Sequence, residues 1–390
     1  MKRVCVVSAL YHPSLGGLGR QAMMLTERLR EGGVNLFVIA RKMALPGEVV
    51  FSGKVEVVRV PTPFQKVHIL EEISMRNVII SVVFSLGCLA VLIRRRKTYD
   101  LVHFHGASIT LFLCLPFLKG MGKKIVAKVA AANLGTEAGS LAGRYRPVGD
   151  LLAWMMRRVD AFIAISEEIR EGLVRDGVPK ERIYRISNFI DPEIFRAPRM
   201  GEKDSLKARF GYGGKTLVLF AGRFVPRKGV EHLLQAWKEV TGDFPDARLV
   251  LLGDGPLFGV LEDMASRLEI NNTVCFLGRV ENVPDFLRAS DVFMLPSLQE
   301  GLSNSLLEAL ASGLPTVATE IGGVIDVVED GRNALLVRPA DVPALSKSLR
   351  TVLTDPRLRE RLSWAALETI QGAYGLEDRV RRYRDLYGRL

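Results

Sequence analysis

Short apolar runs alternate with longer amphipathic stretches along the whole chain. Runs of four or five residues rich in Val, Ile, Leu and Phe occur at 4–7, 36–40, 101–104, 125–129 and 161–165, then at 217–221, 248–252, 274–277 and 292–295. Between most of them the apolar positions fall at helical spacing. A strand that is apolar at every position is buried on both faces, so this alternation predicts parallel sheets covered by helices on either side. No tandem repeat or low-complexity tract interrupts the pattern, which occurs twice. A chain of 390 residues accommodates two domains of about 150–200 residues each. The fold class is therefore α/β, with two Rossmann-like doubly wound domains. Their boundary is expected near Asp191-Pro192, with 199–205 as linker. Ligands bind such sheets at the C-terminal ends of the strands, and two units facing each other would create a cleft.

One stretch departs from this scale. Residues 78–93 form a run of sixteen with only Ser81, Ser85, Gly87 and Cys88 as breaks, ending against Arg94-Arg95-Arg96-Lys97. It is shorter than the roughly 20 residues of a spanning helix. It is read as a helix buried between the sheet and its neighbours, with an in-plane membrane contact as the competing reading. Met1-Lys2-Arg3 leads directly into a strand, without the apolar length of a signal peptide. Cys5, Cys88, Cys114 and Cys275 lie far apart in apolar runs and show neither metal-ligand spacing nor a paired framework. The expectation is a cytoplasmic protein, with peripheral docking on the inner face of the membrane as its extension.

Charge is unevenly divided. Residues 1–190 carry 28 Lys+Arg against 15 Asp+Glu, whereas residues 191–390 carry 26 against 28. A basic N-terminal half suits an anionic partner such as a phospholipid surface or a lipid diphosphate. Nucleic acid is not expected, because no recognition module or aromatic stacking platform accompanies the cations.

Two motifs carry chemistry. The first is Glu300-Gly301-Leu302-Ser303-Asn304-Ser305-Leu306-Leu307-Glu308. Ser303 or Asn304 is a good N-cap, Leu306, Leu307 and Leu310 supply an apolar stripe, and Gly313 followed by Pro315 ends the helix. A helix N-terminus presents unpaired N–H groups, so phosphate can be held there, with carboxylates nearby to grip hydroxyls. The second is Gly222-Arg223-Phe224-Val225-Pro226-Arg227-Lys228-Gly229, directly after an apolar strand. Arg223 offers a guanidinium fork and Lys228 a compact point charge, together a diphosphate clamp.

This pairing resembles the retaining GT-B glycosyltransferases of family GT4, the glycosyl transferases group 1, which carry an Arg and a Lys after a strand and an acid-x7-acid motif. The matching positions are Arg223, Lys228, Glu300 and Glu308. Asn188, the Gly253-Asp254-Gly255-Pro256 turn and Gly322-Gly323 match further landmarks, as do Gly16-Gly17-Leu18-Gly19 after the first strand and His103-Phe104-His105-Gly106. The resemblance implies a GT-B fold with an acceptor-binding domain at 1–190, a nucleotide-sugar-binding domain at 191–375, and a last helix, 376–390, crossing back onto the first. It implies retaining transfer of a sugar from a UDP- or GDP-sugar to a hydroxyl of a lipid-linked or oligosaccharide acceptor, in cell-envelope polysaccharide or glycolipid synthesis. No cofactor or metal is expected, because the clamp already supplies cations.

By the same resemblance, Arg223 and Lys228 neutralise the departing diphosphate, Glu308 holds the ribose, Glu300 holds sugar hydroxyls, and the Gly301, Leu302, Ser303 and Asn304 segment lies at the phosphate. Gly16 and Gly17 let backbone approach the diphosphate or the acceptor, a simple structural turn being the alternative. His105 is favoured near the reacting sugar, although His103 shares its strand face and either can be a core histidine. A GT-B glycosyl phosphorylase and a non-catalytic, membrane-associated sugar-nucleotide-binding protein are the competing functions. A dinucleotide oxidoreductase is set aside, since Gly16-Gly17-Leu18-Gly19 lacks the Gly-x-Gly-x-x-Gly fingerprint. The chain departs from the family on the acceptor side. Lys128-Val129-Ala130-Ala131 stands where many relatives place a histidine, and Phe189 follows Asn188 where glycine is usual.

Overall fold

The computed structural model describes residues 2–11, 17–42, 55–64, 75–130, 151 and 153–390. Two compact units emerge: Met1–Asn188 together with Glu377–Leu390, and Phe189–Leu376.

In the first unit the elements are β1 (Val4–Val7), α1 (Gly17–Glu31), β2 (Leu36–Arg41), β3 (Glu56–Val60), α2 (Met75–Arg94), β4 (Leu101–His105), α3 (Ile109–Gly120), β5 (Lys124–Val129), β6 (Ala161–Ala164), α4 (Glu167–Arg175) and β7 (Ile183–Arg185). Its strands form a parallel sheet in the order β3-β2-β1-β4-β5-β6-β7. The second unit contains α5 (Glu202–Arg209), β8 (Thr216–Ala221), α6 (Val230–Thr241), β9 (Ala247–Leu252), α7 (Phe258–Arg267), β10 (Val274–Gly278), α8 (Val283–Ala289), β11 (Val292–Leu295), α9 (Asn304–Ala311), β12 (Thr316–Thr319), β13 (Leu335–Val337), α10 (Val342–Thr354) and α11 (Pro356–Ala373). Its sheet runs β10-β9-β8-β11-β12-β13, again parallel. The final helix, α12 (Leu376–Arg389), lies almost wholly in the first unit.

Strand order reverses direction between β1 and β4 and between β8 and β11, so each sheet has its crevice at those strand ends. β8 and β11 are buried over nearly their whole length. They pack with Phe220, Phe224, Trp237, Leu251 and Leu349 in the core of the second unit.

Three readings from the sequence need correction. The strands β3, β7, β12 and β13 escaped the apolar-run pattern. β3 is only half-buried, and the others are three or four residues long, one of them the mixed segment Thr-Val-Ala-Thr. The segment read as linker, 199–205, runs into α5. Gly201 takes a left-handed conformation at its N-cap, and Glu202 in its first turn binds Arg196 at 2.8 Å. The helix over 78–93, read first as buried, covers one stripe only. Ile80, Phe84, Cys88 and Leu92 face the unit, whereas Val78, Ile79, Val82, Val83, Leu86 and Ile93 are exposed.

Candidate active site

In the second unit the site is built by the loops that leave β8 and β11. Because these strands are neighbours, with Val218 beside Val292 and Leu219 beside Phe293, the loops after them bring Arg227 and Lys228 to Glu300. The backbone joins the loops: Leu298 N–H donates to the Arg227 carbonyl at 2.7 Å. Gly229, at φ 61°, lies so close to Pro296 that a Cβ would collide with its carbonyl oxygen. Lys228, in the turn Pro226–Lys228, ends on Glu300: its Nζ donates to Oε1. The same oxygen accepts from Ser297 Oγ at 3.0 Å, and Arg227 Nη1 lies 3.5 Å from Oε2. Lys228 and Glu300 are 8% and 7% exposed, so this ion pair is shielded from solvent. The sequence assigned the two residues to different parts of a ligand, and the fold makes each the other's partner.

Glu300 leads into α9. Ser303, not Asn304, is its N-cap, with Oγ accepting from Leu306 N–H at 3.4 Å. Gly301 and Leu302 are covered by the turn Gly322–Val324, whose Gly323 sits against the Gly301 carbonyl where a Cβ has no room. Glu308 falls in the second turn of α9 and is buried, not a solvated surface acid. Arg223 is half-buried.

In the first unit, His105 ends β4 and is 2% exposed, with neither ring nitrogen hydrogen-bonded among the described residues. His103, two residues earlier, is engaged: Nδ1 shares a 2.7 Å hydrogen bond with the Tyr387 hydroxyl of α12, and Tyr383 packs 5.6 Å from its ring. The structure therefore separates a core histidine, His103, from an uncommitted one, His105. Burial, and then the cation of Lys128, hold His103 down to about 3; burial, then Lys128 and His103, keep His105 well below the usual imidazole range. Both rings are neutral at pH 7. Gly106, directly after His105, lies beside Leu18 in the first turn of α1, which begins at Gly17. Gly16 and Ala131 lie outside the described residues.

One residue was passed over as chemistry. Lys128 stands opposite His105 in the β4–β5 register, is fully buried, and donates to Asn188 Oδ1 at 3.0 Å. Burial pulls its ammonium down to about 7. The signal was a lysine inside the strand Lys-Ile-Val-Ala-Lys-Val, where every other position after the first is apolar and buried.

The second unit's residues 202–369 match the family model for glycosyl transferases group 1, and residues 15–194 match the model for glycosyltransferase family 4. The chain belongs to the GT4-type glycosyltransferases. N-acetyl-alpha-D-glucosaminyl L-malate synthase of Bacillus anthracis is similar to it, 27% identical over 76% of each chain. So is the GDP-mannose-dependent alpha-(1-6)-phosphatidylinositol monomannoside mannosyltransferase of Mycolicibacterium smegmatis, 29% identical over 65% of this chain and 67% of that one. Three further relatives are matched over 52–58% of their own lengths. Among solved structures, Anabaena HepE in complex with UDP-glucose superposes with a TM-score of 0.80 at 18% identity, covering 100% of both chains. The two parallel sheets of this GT4 enzyme thus form a GT-B fold. It is a glycosyltransferase of the hexosyltransferase type.

Proposed function

We propose that the enzyme transfers a sugar with retention from a UDP- or GDP-sugar to a hydroxyl of a lipid-linked or oligosaccharide acceptor. We place it in the cytoplasm, in synthesis of envelope polysaccharide or glycolipid. The observation that carries this reading is the Lys228–Glu300 pair at the strand ends of β8 and β11, beside the capped N-terminus of α9. Support for the donor class comes from HepE, solved with UDP-glucose, and from the GDP-mannose-dependent relative. The latter's phosphatidylinositol monomannoside supports a lipid acceptor.

Charge grows on the diphosphate as the bond to the sugar breaks. Arg223 and Lys228 face that charge as pre-positioned cations, and Glu300 fixes where the Lys228 ammonium sits before the donor arrives. Backbone N–H groups over 302–304 add donors to the same phosphate. Glu308 accepts from ribose hydroxyls, and the second oxygen of Glu300 accepts from hydroxyls of the transferred sugar. Attack comes from the face the leaving group departs, and the diphosphate oxygen takes the acceptor proton. In this assignment His105, a neutral imidazole, exchanges one hydrogen bond with a sugar hydroxyl and carries no net charge to the reaction. With cations supplied by the clamp, no metal is assigned. Transfer should survive EDTA, and strict Mg²⁺ or Mn²⁺ dependence would refute that assignment.

Titration with UDP-, GDP- and ADP-sugars tests the donor reading. One nucleotide class should bind saturably to the wild type and not to Arg223→Ala/Lys228→Ala. A folded protein that binds none of them would overturn it. Release of a sugar phosphate from a glycoside by inorganic phosphate would replace it with a phosphorylase.

A further inference from the structure

The first unit carries an apolar surface that the donor chemistry does not use. α2 spans twenty residues without a charged side chain between Arg76 and Arg94. A third of its most apolar window is buried, so it is not a core helix, although its length and composition alone would let it cross a bilayer. The fold does not allow it to cross. Ile80, Phe84, Cys88 and Leu92 are packed into the unit, Ser85 Oγ donates to Thr110 Oγ1 of α3 at 2.9 Å, and a Cβ at Gly87 would collide with Val60 of β3. One side of the helix is fastened to the sheet along its length, and the other faces out. That outer side presents Val82, Val83 and Leu86, the last 59% exposed, and neighbouring α3 adds Leu113 and Phe117, at 40% and 52%. Exposed large apolar side chains gathered on two adjoining helices mark an interaction surface.

Charge identifies the partner. Each helix returns to the sheet before a parallel strand, α2 to β4 and α3 to β5, so both run antiparallel to the strands and end at the same edge. Leu101 and Lys124 are register partners there, and Lys123 Nζ reaches the Tyr99 carbonyl at 2.6 Å. That edge gathers Arg94, Arg95, Arg96, Lys97, Lys119, Lys123 and Lys124. Arg95 is bound by Glu56 at 2.7 Å, and Asp160 takes Lys119 and Lys124 at 2.5 and 3.5 Å. Arg94, Arg96 and Lys97 are exposed, with no carboxylate partner among the described residues. An apolar helix face ending in unneutralised cations fits an anionic bilayer, with side chains in the acyl boundary and cations at the head groups.

We propose that the α2–α3 face is a docking surface for an anionic phospholipid bilayer, on which the enzyme rests in the plane of the interface. The inference deepens the lipid-acceptor reading and rests on it for its purpose. Its test needs neither donor nor acceptor, so failure of docking and failure of transfer are told apart.

The full chain is sedimented with vesicles of phosphatidylcholine alone and of phosphatidylcholine with an equal part of phosphatidylglycerol, at low and high sodium chloride. Binding should require phosphatidylglycerol and weaken with salt. Arg94→Glu/Arg96→Glu/Lys97→Glu should lower it by roughly a hundredfold or more, since each of the three cations near such a surface contributes about fivefold. Leu86→Asp/Phe117→Asp should abolish it, with an unchanged unfolding temperature as the control for folding. Equal binding to both vesicle types, no binding to either, or full binding by the aspartate variant would overturn the proposal. So would a wild-type dimer in light scattering that the aspartate variant makes monomeric, because a second copy would then cover the face.

Discussion

If the proposed function holds, Lys228 and Glu300 sit where ligand and protein compete for the same charges. Each neutralises the other in a place that water hardly reaches. Removing one partner leaves an uncompensated buried charge. Lys228→Met and Glu300→Gln should each lower stability by about 3 kcal/mol. The double variant should recover a large part of the summed loss, and chemical denaturation of all four proteins checks this coupling. If Lys228 faces the departing diphosphate, Lys228→Met should also lower kcat by about 10²–10³-fold. Both motifs were readable in the sequence, because Arg-x4-Lys after a strand and acid-x7-acid are local patterns. Their pairing was not, because it depends on β8 lying beside β11, a fact of sheet order. Lys128 makes the complementary point: its burial follows from a strand in mid-sheet, and its low proton affinity follows from burial. The unfolded lysine holds its proton up to about 10.4, whereas the folded one releases it near 7. Between these values the unfolded chain binds more protons, so stability should rise as pH rises from about 7 towards 10, and the gain should vanish as pH falls back to 7. Lys128→Met should flatten that slope, read from unfolding midpoints across the range.

At the scale of elements, the site depends on two close backbone approaches. Gly229 brings the Lys228 turn onto Pro296, and Gly323 brings the turn Gly322–Val324 onto Gly301. Gly323→Ala adds one methyl group where a carbonyl already stands, so the Glu300–Leu302 backbone must shift. The expected result is donor binding weakened by about tenfold or more, from roughly 1–3 kcal/mol of overpacking, while the α9 helix, capped by Ser303, persists. Unchanged donor affinity in calorimetric titration would remove the turn from the site. The sequence displayed Gly322-Gly323 as a landmark but held no sign of what it touches. Helix α2 shows the opposite limit. Its apolar positions were plain, yet apolarity alone does not separate a face turned to the sheet from one turned to solvent. That distinction comes from the packing of Ile80, Phe84, Cys88 and Leu92.

At the scale of the whole molecule, the candidate residues fall into two units that one substitution can tell apart. Arg223, Lys228, Glu300 and Glu308 all lie between Phe189 and Leu376, whereas His103 and His105 share their unit with α12, the C-terminal helix. Tyr387, 1% exposed, gives His103 both a ring contact and the hydrogen-bonding hydroxyl at 2.7 Å. Tyr387→Ala removes a large buried side chain and leaves that imidazole nitrogen without its partner, a loss of about 3–5 kcal/mol. For a unit of this size it corresponds to a fall of roughly 6–20 °C in the unfolding temperature. Two-unit proteins need not unfold in one step, and a donor nucleotide stabilises only the unit that binds it. Calorimetry with and without the nucleotide should therefore resolve two transitions. One rises with ligand and is indifferent to Tyr387→Ala; the other falls in the variant and ignores ligand. If both transitions move together in the variant, the units unfold cooperatively, and α12 stabilises more than the sheet it covers.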